Sequence, residues 1–398
     1  MTSSNDKNSH PPRIGLIGVA GYAQIYVDLL QRAHDQNLVE ITAVNARPAR
    51  QGLPSVADLK QRGAKIYDSF EDLVDHGSKD MDICLIPTGI QWHTRMAVAA
   101  MEAGAHVLLE KPLAGSVEDG EAIIRSEDET GRWLAVGFQD VYSPEALWLR
   151  DQMQSGTIGK LKSVRMLGLW PRPASYYNRN QWAGKMMADG AAVRDSPLNN
   201  AFAHFVNLAL FFSGPDADHS ADVEVYESEL LRARDIETFD TAVVKARSEN
   251  GIDFWFGVSH ACTVQRNPEI IIEGENGRAE WFHEKHIRIV LNDGKVIERK
   301  VPTYEQTRQA MFDAVLNRFA DPKTFIFTSR MAISQTRFIE SVHATGKIED
   351  VPADAIDQPN PEDPQEKQIP AIRGLAESMD KAFQKKSLLK EAGLPLPL

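Results

Sequence analysis

From Arg13 onward, short apolar runs alternate with longer stretches in which apolar residues recur at helical spacing, the pattern of buried parallel strands covered by amphipathic helices. The runs predict strands at Ile14–Ile17, Ile41–Val44, Met81–Ile86, His106–Leu109 and Leu134–Gly137. Helical patterns lie between them, notably Ala23–Ala33, Thr94–Ala103 and Ser116–Thr130. The last opens with Ser116 followed three residues later by Asp119, an N-cap signature.

After Phe138 the rhythm changes. A helix over Pro144–Gln154 leads into a strand over Leu161–Leu169, then an irregular aromatic stretch, then a helix over Leu198–Phe212 that stops before Gly214. Between Val223 and Val301 strand-like segments dominate. They are separated by Glu249-Asn250-Gly251, Gly274-Glu275-Asn276-Gly277 and Asn292-Asp293-Gly294, turn sequences that suit an antiparallel sheet. Helices return at Tyr304–Phe319 and Ser329–Thr345. Pro352–Pro370 is rich in Pro, Asp, Glu and Gln and reads as an extended connection to a last helix, Ala371–Lys385.

The expected fold is an α/β Rossmann domain with a doubly wound parallel sheet, followed by an α+β domain with a large, mostly antiparallel open sheet. The boundaries are a tail at 1–12, a nucleotide-binding domain at 13–138, a substrate and oligomerisation domain at 139–351, and the extended segment with the last helix at 352–398. An open sheet ordinarily hides its apolar face against another subunit, so a homo-dimer or homo-tetramer is expected.

Composition narrows the function classes. At 398 residues with 42% hydrophobic and 25% charged positions, the chain has ordinary globular values and room for two domains. A net charge of -12 without a Lys/Arg cluster argues against nucleic acid and for a small neutral or cationic ligand. Cys84 and Cys262 lack disulfide or metal spacing, which favours a reducing compartment, no metal and a core role for both. Met1–Pro12 is polar, unlike a signal peptide, and no window approaches a membrane span. A cytoplasmic location is the expectation.

The first strand delivers the chain to Gly18-Val19-Ala20-Gly21-Tyr22-Ala23, a G-x-G-x-x-G/A variant with Ala20 in the middle glycine's place. Small residues let the backbone turn sharply and let a pyrophosphate reach the amides of a helix N-terminus. The second strand ends in Val44-Asn45-Ala46-Arg47-Pro48-Ala49-Arg50, without the acid that usually holds the ribose hydroxyls of NAD. Arg47 suits a 2′-phosphate, which leans the cofactor, NAD(P), toward NADP. Asn45 can also bind an unphosphorylated ribose, and Arg47 and Arg50 read alternatively as solvated loop charges.

Two further motifs are specific. Ile86-Pro87-Thr88-Gly89-Ile90-Gln91-Trp92-His93 resembles the T-P-x-x-x-H segment of the Gfo/Idh/MocA oxidoreductase family. Ala103-Gly104-Ala105-His106-Val107-Leu108-Leu109-Glu110-Lys111-Pro112 resembles that family's A-G-K-H-V-x-x-E-K-P signature. The resemblance implies that Lys111 lies beside the nicotinamide and the substrate hydroxyl, often before a cis proline bond. It also implies that Thr88, His93 and Glu110 belong to the cofactor site, Glu110 as an anchor and His93 as a ligand contact or a loop tie. Independently, oxidation of a secondary alcohol develops alkoxide character that an ammonium stabilises.

Family members commonly show D-x-G-x-H-x-x-D on a helix of the substrate domain. Counting back from Gly214 places His204 on the catalytic histidine, while Asn200 and Asn207 replace the two aspartates and Asp195 is the nearest alternative acid. On the expected helix Asn200, His204 and Asn207 share one face, either a binding surface or a subunit interface. The preceding stretch, Trp170-Pro171-Arg172-Pro173-Ala174-Ser175-Tyr176-Tyr177-Asn178-Arg179-Asn180-Gln181-Trp182, offers stacking faces and planar donors for a carbohydrate. Tyr177, Arg179, Asn180 and Trp182 are the substrate candidates, or else they pack the loop against a neighbouring subunit.

Three functional readings follow. The leading one is hydride transfer from a secondary hydroxyl of a sugar, cyclitol or glycoside to nicotinamide, with Lys111 and His204 handling charge and proton across a cleft. The second is a redox-neutral glycoside-cleaving or eliminating enzyme with tightly bound NAD. The third is a non-catalytic nucleotide-binding sensor.

Overall fold

The computed structural model describes residues 10–357 and 369–396. Residues 1–9 of the expected tail and 358–368 of the expected extended connection lie outside the described residues.

The chain divides into two compact units. The first comprises Met1–Ser143 with Tyr304–Ile333, the second Pro144–Thr303 with Ser334–Leu398. The single span expected at 139–351 is therefore interrupted. Residues 304–333 join the first unit because Val136 N donates to Phe327 O at 2.8 Å and Phe327 N to the Tyr142 hydroxyl at 3.1 Å.

In the first unit the elements run β1 (Arg13–Ile17), α1 (Ala23–Asp35), β2 (Glu40–Asn45), α2 (Pro54–Gln61), β3 (Lys65–Tyr67), α3 (Phe70–Gly77), β4 (Ile83–Ile86), α4 (His93–Glu102), β5 (His106–Leu109), α5 (Val117–Thr130) and β6 (Leu134–Val136). The strands pair in parallel in the order β3-β2-β1-β4-β5-β6, the doubly wound order that places ligands at the C-terminal strand ends. Ile14, Leu16, Ile83, Leu85 and Val107 have no solvent exposure, which is why these strands read as unbroken apolar runs. β3, with only three residues, gives no periodic signal, and the two-turn helices α2 and α3 are additions to the expected elements. Ser116 caps α5, accepting from Asp119 N at 3.2 Å.

The second unit continues with α6 (Pro144–Gln154), β7 (Leu161–Leu169), α7 (Ala174–Tyr177), a hairpin of β8 (Met187–Ala188) and β9 (Ala191–Ala192), and α8 (Ala203–Phe212). Then come β10 (Val223–Arg232), β11 (Thr241–Ser248), β12 (Asp253–Ser259), β13 (Arg266–Gly274), β14 (Gly277–Phe282), β15 (His286–Leu291) and β16 (Val296–Lys300). α9 (Tyr304–Ala320) belongs to the first unit, and α10 (Ser329–Thr345) begins there and crosses into the second. β17 (Ile348–Asp350) closes a nine-stranded sheet ordered β16-β15-β14-β13-β7-β12-β11-β10-β17. Only β12 with β7 and β10 with β17 pair in parallel among the described strands, so the sheet is mostly antiparallel as expected.

Strand alternation splits this sheet's side chains between two faces. On β12, Phe256 meets Phe338 of α10 with centroids 4.7 Å apart. Trp255 points the other way and meets Phe383 at 5.7 Å. Phe383 belongs to α11 (Leu375–Lys385), which follows β18 (Ile356–Asp357) and β19 (Ala371–Ile372). The last helix therefore starts at Leu375 and not at Ala371: Ile372 N bonds to Ala261 O, and Gly374, at φ +74°, cannot continue a helix backward. Leu375, Met379, Ala382, Phe383, Leu388 and Leu389 bury themselves with Leu167, Leu169, Leu231, Val243 and Trp255 in one cluster. The apolar residues of β7, β10, β11 and β12 on this face are thus covered by the chain's own terminal segment. Cys84 and Cys262 are buried core thiols.

Candidate active site

In the first unit, Gly18 ends the turn after β1 at φ +90° and donates its N–H to Asn45 O at 3.0 Å. Gly21 adopts φ +66°, and a Cβ built on it meets nothing within 4 Å. Tyr22 is the N-cap of α1 with no side-chain cap bond, Ala23 opens the helix, and its first turn carries no acid. Ala20 is half-buried. The helix N-terminus is therefore uncapped by the chain's own side chains, as a pyrophosphate site requires. Thr88 adds a buried hydroxyl without a hydrogen-bond partner among the described residues. These features fit a dinucleotide.

At the end of β2, Asn45 is buried and donates its side-chain amide to Tyr67 O at 3.2 Å, which ties β2 to β3. Arg47, two residues on, is exposed. The helix α9 adds a group with no sequence signal: the Arg308 guanidinium lies 6.0 Å from the Tyr22 ring centroid and 5.6 Å from that of Tyr304.

The E-K-P segment follows β5. Glu110 is buried, accepts from the Tyr26 hydroxyl at 2.6 Å and from the Lys111 N–H at 3.0 Å, and so has a donor on each oxygen. Gly137 leaves room for it, since a Cβ there would stand 3.2 Å from the Glu110 backbone and carboxyl. The Lys111-Pro112 bond is cis and Lys111 is half-buried. His93 is fully buried, with Nδ1 2.8 Å from Pro112 O and Nε2 3.2 Å from Thr88 O. Burial pushes its pKa down to about 4. A neutral ring carries one N–H, so it donates to one of these two carbonyls, the shorter contact being the one to Pro112 O in the E-K-P segment, and packs against the other as a loop tie.

In the second unit His204 is the second residue of α8 and nearly buried. Asn200 is not on that helix. Residues 196–202 form a turn in which the Asn199 side chain donates to the Val193 and Arg194 carbonyls and that of Asn200 to Asp195, tying the turn to the segment before it. The expected shared face of Asn200, His204 and Asn207 reduces to His204 and Asn207. Asp195 is buried, accepting from Asn200 Nδ2 at 2.8 Å and Gly184 N at 2.6 Å. Its charge therefore reaches toward α8 through an amide. Asn207 is fully buried, and neither atom of its amide has a partner among the described residues.

The aromatic stretch divides in two. Tyr177 is buried with its hydroxyl 2.8 Å from His260 Nδ1, and Asn180 Oδ1 accepts from Trp182 N and Ala183 N at 3.1 and 2.8 Å; both hold the loop. Arg179, exposed, stacks 3.8 Å from Tyr176 and 5.3 Å from the half-buried Trp182. Arg172 and His260, not singled out from sequence, border the same stack.

Comparison with known proteins agrees with both halves of the architecture. Residues 12–138 match the oxidoreductase family with the NAD-binding Rossmann fold, GFO_IDH_MocA, and residues 147–280 match the GFO/IDH/MocA C-terminal domain. The chain belongs to the GFO/IDH/MocA oxidoreductase family. It is similar to inositol 2-dehydrogenase of Salmonella typhimurium, 32% identical over 145 residues that cover 36% of this chain and 42% of that one. The chain thus spans less than half the length of the first curated relatives it matches. Its fold is that of the WlbA dehydrogenase from Bordetella pertussis in complex with NADH and UDP-GlcNAcA, with TM-score 0.66, 23% identity and coverage of 84% and 96%. It is likewise that of KijD10, a 3-ketoreductase from Actinomadura kijaniata in complex with NADP and TDP-benzene, with TM-score 0.66, 18% identity and coverage of 86% and 100%.

Proposed function

We propose that this GFO/IDH/MocA member is an NAD(P)-dependent oxidoreductase that acts on a secondary hydroxyl of a sugar, cyclitol or glycoside. The observation that carries the reading is the E-K-P corner: Lys111 follows a buried Glu110 whose two oxygens are both bonded, on the strand end next to an uncapped glycine turn. The bound nicotinamide supplies a hydride acceptor. Gly18, Ala20, Gly21, Tyr22 and Ala23 receive the pyrophosphate, with Thr88 completing the wall. Arg47, exposed where an acid usually stands, favours a 2′-phosphate, so NADP is the preferred form.

Lys111 stabilises the developing alkoxide, since a fixed ammonium lowers the energy of negative charge forming beside it. His204 accepts the hydroxyl proton. Asp195 orients Asn200 in the turn before α8 and supplies nearby negative charge where the family's usual aspartate is absent. Relatives solved with NADH and with NADP, and relatives named inositol 2-dehydrogenase, support the cofactor and substrate class.

The test is a panel of polyols, hexoses and glycosides with protein that binds NADPH by fluorescence titration. Appearance of reduced cofactor with at least one of them is expected. No reduction across the panel, despite confirmed cofactor binding, contradicts the reading; product without net reduction points instead to the redox-neutral eliminating enzyme. Arg47→Ser is expected to weaken NADPH binding about tenfold or more, the worth of a charge-assisted contact, and to leave NADH within about twofold.

A further inference from the structure

The second unit gathers positive charge at one place despite the chain's net -12. The Arg172 guanidinium lies 5.4 Å from the Trp170 ring and 5.1 Å from Tyr176, and Arg179 lies on Tyr176 and Trp182 at 3.8 and 5.3 Å. Neither arginine has a carboxylate partner among the described residues. Others in this unit do: Arg234 pairs with Asp240, Arg165 with Glu273, Arg247 with Asp253 and Arg337 with Asp222.

Arg172 Nε is buried and has no hydrogen-bond partner among the described residues. Beside the stack, His260 is buried, with Nδ1 on the Tyr177 hydroxyl and no partner for Nε2 among the described residues. Burial, then Arg172, Arg234 and Arg179, hold its pKa well below the ordinary value, a sign of locally positive potential. The stack also reaches the histidine helix. Trp170 lies 4.8 Å from Phe202 and 5.8 Å from Phe205, the residues two before and one after His204.

A guanidinium that lies on a ring carries N–H groups that only donate; Arg179 gives one, on Nη1, to the Tyr176 carbonyl, and the rest of its edge remains for a ligand. Its complement is a group that only accepts. The distant acidic surface does not cancel this, because charges more than about 8 Å away are largely screened at physiological salt.

We propose that the substrate carries an oxyanion, a carboxylate or a phosphate on the sugar or cyclitol, and that Arg172 and Arg179 hold it. This rests on reading the chain as a polyol oxidoreductase and narrows its substrate class, against the neutral or cationic ligand that total charge favours.

The experiment is calorimetric titration of the NADPH-loaded protein with D-glucuronate, D-glucose 6-phosphate and D-glucose. At least one anion is expected to bind about tenfold tighter than glucose, the worth of one charge-assisted contact. That preference falls to within about twofold in Arg172→Gln and Arg179→Gln and survives in part in Arg179→Lys. Added salt weakens the anion and not glucose, a measurement on the parent that stands even if Arg172→Gln misfolds. No preference in the parent, or full preference in both glutamine variants, overturns the proposal. In a parallel assay with the oxidised cofactor, anion binding without cofactor reduction leaves it standing and removes the oxidation, whereas glucose reducing the cofactor as readily as either anion does the reverse.

Discussion

Glu110 shows what local sequence does and does not reveal. Its place in Glu110-Lys111-Pro112 is legible from adjacent residues, but its main partner, Tyr26, lies on another helix 84 positions away and follows from no motif. Tyr26→Phe leaves a buried carboxylate oxygen without its donor and is expected to cost about 1–3 kcal/mol in denaturant unfolding; a loss near zero would show the bond to be replaceable. Gly137→Ala places a Cβ against the Glu110 backbone and carboxyl, 3.2 Å away, where little can give. It is expected to disturb Lys111 more than global stability, read as lost turnover with a small change in melting temperature. The histidine turn was misread for a related reason. Asn199 and Asn200 have acceptable helical spacing, yet their amides bond to the backbone and to Asp195, and only tertiary structure supplies those partners.

At the scale of elements, fully buried strands and the longer helices were legible, capped or not, and short elements such as β3, α2 and α3 were not. Glu127, near the end of α5, links that helix to β6 by accepting from Leu134 N at 2.7 Å and to the start of α10 through the Ser329 hydroxyl. Burial raises its pKa from 4.5 to about 7. The folded state therefore holds this proton more tightly than the unfolded chain, and the carboxyl's contribution to stability is full below pH 4.5 and declines as pH rises through 7. Relative to Glu127→Gln, the parent is expected to lose stability across that window. Parallel stability curves for the two proteins would refute the assignment. In α11, Phe383 is buried on Trp255, and Phe383→Ala is expected to cost about 3–5 kcal/mol in urea unfolding.

For the molecule as a whole, alternating strands and helices followed by turn-punctuated strands revealed both sheets, because burial periodicity is a local signal. The return of 304–333 to the first unit and the folding of the C-terminal segment over the second sheet were not legible, since both depend on contacts distant in sequence. A chain ending at residue 370 uncovers Leu167, Leu169, Val243 and Trp255 and is expected to bind a hydrophobic dye and sediment as larger species. Unchanged sedimentation without dye binding would mean that the segment does not protect this face.

The central claim is that Lys111 serves the chemistry and not the fold or the nucleotide. It is tested most directly by comparing Lys111→Met with the parent in single-turnover reduction of bound nicotinamide, with cofactor affinity measured on the same samples. The account predicts cofactor binding within about threefold and hydride transfer slowed by roughly a hundredfold or more, the cost of removing a group that stabilises developing charge. Transfer at the parent's rate, with cofactor bound, would contradict it.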